Sequence, residues 1–287
     1  MTKADIVNER PIGIFDSGVG GLTVVRSVMD RLPGERIIYL GDGARGPYGP
    51  RDIDEVRGFA HEIIEYLLGF GVKLIVIACN SATAAALDEA QHEYDIPVVG
   101  VIMPGVRAAL RRSRRLHIGV IGTRVTITSG SYERAILRLD PRARVFSQAC
   151  PEFVEFVERG EVTGDHITEM ALGYIDPMLD SGIDTLIMGC THYPLLAPLL
   201  QEVAGPGVEL ISSADETASE VEDILDRLGW LADGGRCGSM MFLTTGNVGQ
   251  CHELGRMFLG PEVRAVVPVD FDTHPELDFV PAVEEED

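Results

Sequence analysis

Two of the five cysteines in this chain stand in matched surroundings. VKLIVIACNSAT brings an apolar run to Cys79, and DTLIMGCTHYP brings another to Cys190. In each, a strand-like stretch ends on a thiol beside small hydroxyl and amide side chains. A thiol titrates near enough to neutrality, at roughly 8.5, for thiolate and thiol to coexist when the local field favours the anion. Two thiols on opposite faces of a carbon can therefore remove a proton from one side and return one to the other. That is the equipment for inverting a Cα stereocentre by proton transfer alone. Both cysteines are expected to open a helix, where free N–H groups and the helix dipole lower a thiol's pKa. His192 is placed to serve Cys190 as proton partner or local cation. Asp16, closing the first strand, is placed to do the same for Cys79.

The other three cysteines, Cys150, Cys237 and Cys251, read as small buried hydrophobes. Neither they nor the histidines follow a metal-ligand spacing, so no metal site is expected. Lysine occurs only at Lys3 and Lys73. A pyridoxal Schiff base needs a lysine, and neither position suits one, so no cofactor is expected. The glycine stretch Gly18–Gly21 has neither a dinucleotide fingerprint nor a Walker lysine. It reads instead as a loop whose backbone N–H groups cradle a small carboxylate.

Positioning two thiols against each other requires two frameworks, and the chain supplies a repeated one. PIGIFDSGVGGLTVVRS echoes HIGVIGTRVTITSGS, which aligns Ser17 with Thr123, and the two cysteine segments follow at nearly equal separations. Two echoes in the same order point to a duplicated unit. Strands are expected at 12–16, 36–40, 73–78, 97–101, 117–121, 143–148, 185–188, 209–212 and 241–244. Helices are expected at 22–31, 52–69, 81–93, 104–112, 132–139, 164–180 and 217–228. This alternation is that of an α/β protein with mostly parallel sheets. The expected architecture is two pseudo-symmetric α/β domains, 1–101 with 213–270 and 102–212, with the site in the cleft between them. Residues 271–287 read as a mobile acidic tail. Open α/β sheets bind ligands at the carboxyl ends of their strands, where both cysteines fall.

The net charge of −21 disfavours a phosphate-binding or nucleic-acid surface. No run is long and apolar enough for a membrane span, and the amino-terminal stretch lacks a secretory signal. Reduced thiols make the cytoplasm the expected compartment. The basic run Arg111–Arg115 reads as a solvated helix end.

At these residues the chain resembles the glutamate racemase family. The resemblance is carried by IGIFDSGVGGLTV (12–24), GDGARGPYG (41–49), VIACNSATA (76–84) and GCTHYPLL (189–196), with ACPEFVEFVERG (149–160) and LTTGNVGQCHELGRMFLG (243–260) alongside. It implies cofactor-free interconversion of L- and D-glutamate for peptidoglycan, with Cys79 and Cys190 as paired acid and base. It further implies a substrate shell of Asp16, Ser17, Tyr48, Gly49, Asn80, Ser81, Thr191 and His192. Glu158 matches a carboxylate that assists the second thiol. The expected partners are the small-molecule substrate and a second copy of the chain in a homodimer. Two positions depart from the family pattern: Gly43 and Ser81 stand where threonine is usual, and Gly43 bears on the stiffness of its loop. Two other readings fit the same residues less fully. One is a racemase of aspartate, or a related cysteine isomerase of a small dicarboxylate. The other is an acidic binding protein that imitates nucleic acid.

Overall fold

The computed structural model describes residues 8–232, 238–272 and 280–281. Its strands are β1 (Ile12–Asp16), β2 (Arg36–Gly41), β3 (Leu74–Ile77), β4 (Val98–Gly100), β5 (His117–Gly122), β6 (Arg144–Ala149), β7 (Thr185–Gly189), β8 (Glu209–Ile211), β9 (Ser239–Thr244), β10 (Val266–Pro268) and β11 (Val280–Pro281). Its α-helices are α1 (Leu22–Arg31), α2 (Ile53–Gly69), α3 (Asn80–Glu93), α4 (Ile102–Arg112), α5 (Arg124–Thr128), α6 (Ser131–Leu139), α7 (Glu152–Glu158), α8 (Asp165–Asp180), α9 (Ala197–Ala204), α10 (Ala214–Leu228) and α11 (Val248–Leu259).

The strands form two sheets. The larger runs β10-β9-β2-β1-β3-β4, with β11 added to β9; the smaller runs β6-β5-β7-β8. Every pairing is parallel except that of β11 with β9. Parallel strands covered by helices on both faces must be apolar throughout, and β1, β3 and β7 are buried at every residue. Two apolar clusters flank the larger sheet and two flank the smaller. α10 follows the smaller sheet in sequence, yet Ala218, Val221 and Leu225 pack into the cluster around β1 and α1.

The order β2-β1-β3-β4 in one sheet is repeated as β6-β5-β7-β8 in the other. The registers repeat as well. Phe15 pairs with Ile77, and two residues further on the chain reaches Ser17 and Cys79. Gly122 pairs with Gly189, and one residue further on it reaches Thr123 and Cys190. Each cysteine thus leaves the third strand of its unit beside a hydroxyl leaving the first. In both sheets this is the point where the strand order reverses, the crevice in which such sheets hold ligands.

The nine expected strands are present with ends shifted by a residue or two. β10, β11, α5, α7, α9 and α11 were not anticipated. α5 and α7 are too short to show a helical period, prolines interrupt the stretch leading into α9, and glycines interrupt α11. The stretch read as an acidic tail makes contacts within its described part. Phe271 packs against Tyr66 and over the Arg45 guanidinium, and Val280–Pro281 pairs with β9. Residues 273–279 and 282–287 lie outside the described residues, as do Lys3 and Cys237.

Candidate active site

Cys79 is the N-cap of α3, in extended backbone, and its carbonyl accepts from Thr83 N–H at 2.8 Å. Its Sγ lies 3.8 Å from Ser17 Oγ. The helix start supplies the expected donor, the Ala82 N–H, yet the thiol is not made more acidic. Burial and the negative charge of Asp16 push its pKa up to about 12, outweighing the Ala82 and Ser17 donors. The lowering expected from the helix dipole is therefore reversed for Cys79 in this closed arrangement.

Cys190 corrects the expectation in another way. The chain turns at Cys190–His192, with Tyr193 N–H donating to the Cys190 carbonyl at 3.2 Å. A short 3₁₀ segment, Tyr193–Leu196, comes next, and α9 begins only at Ala197. Pro194 cannot donate a backbone N–H, which favours this tight turn over an immediate α-helix. The cation beside this thiol is a side chain. His192 Nδ1 is 3.8 Å from Cys190 Sγ, and His192 Nε2 is 3.3 Å from Glu158 Oε1. That second contact is at ion-pair distance without hydrogen-bond alignment. Burial pulls the imidazole pKa down, but Cys190, Glu158 and Asp16 together hold it up to about 10. His192 is thus a cation at neutral pH, stacked edge-on against Phe258.

Asp16 lies beneath the thiols, fully buried. Its Oδ1 accepts from Gly18 N–H at 3.0 Å, and its Oδ2 accepts from Thr191 Oγ1 at 3.1 Å. Gly21 N–H also faces it. The glycine loop does cradle a carboxylate, but the carboxylate is that of Asp16, and these N–H groups are not free for a substrate. Burial raises the Asp16 pKa against the pull of His192 and these donors.

One cavity, with about 20 Å³ of room, is lined by Ser17, Tyr48, Gly49, Cys79, Asn80 and Ser81 from the larger-sheet side and by Cys190, Thr191 and His192 from the smaller. That is space for about one water. Every residue of the expected substrate shell except Asp16 reaches it. Glu158 does not; it lines a neighbouring pocket of about 90 Å³ behind His192, together with Gly43, Gly246 and Gln250. Tyr48 and Gly49 are carried by the 42–49 segment, which Asp42 organises. Asp42 accepts from the Tyr48 hydroxyl, from Arg45 Nε at 2.7 Å and from Thr245 Oγ1 at 2.7 Å. Thr245 Oγ1 also accepts from Ala44 N–H at 3.1 Å, so the loop around Gly43 is fastened by a threonine from another strand end.

The sequence did not single out Pro47, Thr123 or Val154, which also line the cavity. Ser81 Oγ, Thr123 Oγ1 and Thr126 Oγ1 form a closed trio at 2.9, 3.1 and 3.3 Å. Tyr132 donates to Asn80 Oδ1 at 2.7 Å. The alignment of Thr123 with Ser17 held the signal for the first of these. Tyr132 had none, because its contact depends on how the two sheets face each other. Cys150 and Cys251 are buried free thiols outside the cavity, as expected.

A family model described as Asp/Glu/Hydantoin racemase matches residues 22–221. The chain belongs to this racemase family. Among its relatives, a glutamate racemase of Bacillus cereus is 49% identical over 257 residues, covering 90% of this chain and 96% of the relative. In structure, a glutamate racemase isoform from Bacillus anthracis superposes with a TM-score of 0.86 at 44% identity, covering 92% of this chain and 98% of that one. A glutamate racemase from Francisella tularensis, solved in complex with D-glutamate, gives a TM-score of 0.87 at 35% identity, covering 93% and 100%. The family's two-sheet α/β architecture and this chain's are the same. Among the described residues no helix is long and apolar enough to cross a membrane.

Proposed function

We infer that this protein interconverts L- and D-glutamate by two-base proton transfer between Cys79 and Cys190. The observation that carries the reading is that both thiols line one cavity from equivalent strand ends of two repeated sheets. In one direction the Cys190 thiolate, with His192 as its cation, takes the Cα proton. The C–H bond breaks, an S–H bond forms, and the electron pair passes into the α-carboxylate. The Cys79 thiol then delivers its proton to the opposite face and is left as thiolate. The other direction reverses the two roles. Burial disfavours a lasting thiolate at Cys79, which drives that sulfur to regain a proton before the next cycle. Glu158 holds the imidazolium, and Asp16 fixes Thr191. Ser17, Tyr48, Gly49, Asn80, Ser81 and Thr191 surround the substrate with neutral groups. No step requires a cofactor.

In this reading the product supplies peptidoglycan synthesis in the cytoplasm and the protein works as a homodimer. Its two domains are 1–101 with 213–270 and 102–212.

Circular dichroism of L- and D-glutamate, with aspartate alongside, tests the assignment. Cys79→Ser and Cys190→Ser should each abolish racemisation while leaving the unfolding transition in place. Full racemisation by either single variant would overturn the two-base mechanism, and turnover of aspartate alone would overturn the substrate.

A further inference from the structure

We propose that two glycines, Gly20 and Gly49, set how closely the two cysteine-bearing walls approach, and so set the gap between the thiols. The inference rests on the proposed reaction for its effect on catalysis, but its geometry stands apart from it. Neither glycine has the positive φ that would demand glycine for conformational reasons. What excludes a side chain at each is the opposite wall. A Cβ on Gly20 would lie 2.5 Å from Thr191 Oγ1 and 2.7 Å from His192 Nδ1. A Cβ on Gly49 would lie 2.7 Å from Thr123 Cβ and 2.9 Å from Thr123 Cγ2. By contrast, Gly18 in the same loop as Gly20 has nothing within 4 Å of its would-be Cβ.

The two contacts sit on the two sides of the cavity. Gly20 follows β1 and meets the turn after β7, whereas Gly49 meets Thr123, which follows β5 and caps α5. Each is reinforced by a bond between the walls. Thr191 Oγ1 donates to Asp16 beside Gly20, and Val125 N–H donates to the Gly49 carbonyl at 3.1 Å. Backbone touching side chain at both points brings the walls together until the cavity holds about one water. Glutamate is larger than that, so the walls must part to admit it and then close again. The glycines determine where that closing motion stops.

Gly49→Ala is the sharper test, because Thr123 Cβ is fixed to its backbone and cannot rotate away. The variant should keep its fold and alkylate at Cys79 and Cys190 with iodoacetamide about tenfold faster than the parent. A misplacement near 1 Å costs on the order of a hundredfold in turnover, so kcat for glutamate should fall by about that factor. Pairing it with Thr123→Gly removes the obstructing atoms. Alkylation in Gly49→Ala/Thr123→Gly should return to within about twofold of the Thr123→Gly single variant. Gly20→Ala should accelerate alkylation in the same way. Parental alkylation and kcat in folded Gly49→Ala would overturn the proposal, as would a double variant as reactive as Gly49→Ala itself. If Gly49→Ala does not fold, recovery of folding in the double variant supports the gauge and failure to recover overturns it. Alkylation does not depend on substrate, so faster labelling in a protein with no racemase activity would sink the proposed reaction and leave the gauge standing.

Discussion

His192 is a residue whose charge is set by its neighbours. Held up to about 10 from an ordinary 6.5, it is cationic when folded over a range in which it would be neutral when unfolded. A folded pKa above the unfolded one stabilises fully below the unfolded value, and the effect is lost as pH rises through the folded value. The stability that His192 contributes should therefore be complete below about pH 6.5 and fade towards pH 10. Melting the parent and His192→Asn in parallel across that range should show their difference in Tm narrowing at the alkaline end; a difference that stays flat would refute the assigned charge. At this scale the sequence was readable where chemistry is local. Cys79, Cys190 and His192 announce themselves by type and spacing. The environment of each was not readable, since burial beside Asp16, which reverses the expected shift at Cys79, comes from parts of the chain far apart in sequence.

The elements owe their order to apolar runs, which is why the strands were legible and the short helices were not. One polar interaction is built into the opposite end of the larger sheet from the cavity. Lys73, just before β3, is buried, pairs with Glu35 Oε2 at 2.6 Å, and donates to the Trp230 carbonyl at 2.8 Å and to the Asn8 carbonyl at 3.1 Å. Glu35 Oε1 in turn accepts from Ala232 N–H at 2.8 Å. This ties the start of β3 and the approach to β2 to the chain leaving α10. Removing one partner of such a pair leaves the other charge buried alone, at a cost of about 3–5 kcal/mol. Lys73→Met should lose that much in urea unfolding and shift the emission of Trp230, the chain's one tryptophan. Lys73→Met/Glu35→Leu should recover most of it; a single variant as stable as the parent would remove this tie from the account. The sequence marked Lys73 only as an unsuitable Schiff-base lysine, because its partners arrive from three separate segments.

The molecule as a whole carries a net charge of −21. Between the helices that join the two halves, α4 and α10, Arg107 pairs with Glu220, and Arg111 pairs with Glu216 at 2.5 Å. These side chains are a third to half exposed, so each pair contributes about 0.2–1 kcal/mol. Salt weakens such pairs, but it also screens the repulsion among the excess carboxylates, and with this imbalance the repulsion dominates. Tm should rise as sodium chloride increases from low ionic strength to about 0.3 M, where the screening length is short; a falling Tm would show that the interhelical pairs matter more. The two sheets repeat one strand order, yet one wall offers Cys79 with Ser17 and the other Cys190 with His192 and Glu158. The enantiomers of glutamate have equal free energy in water, so microscopic reversibility requires equal kcat/KM in the two directions whatever the catalyst looks like. The unlike walls can divide that common efficiency differently between kcat and KM for each hand, but they cannot favour either hand at equilibrium.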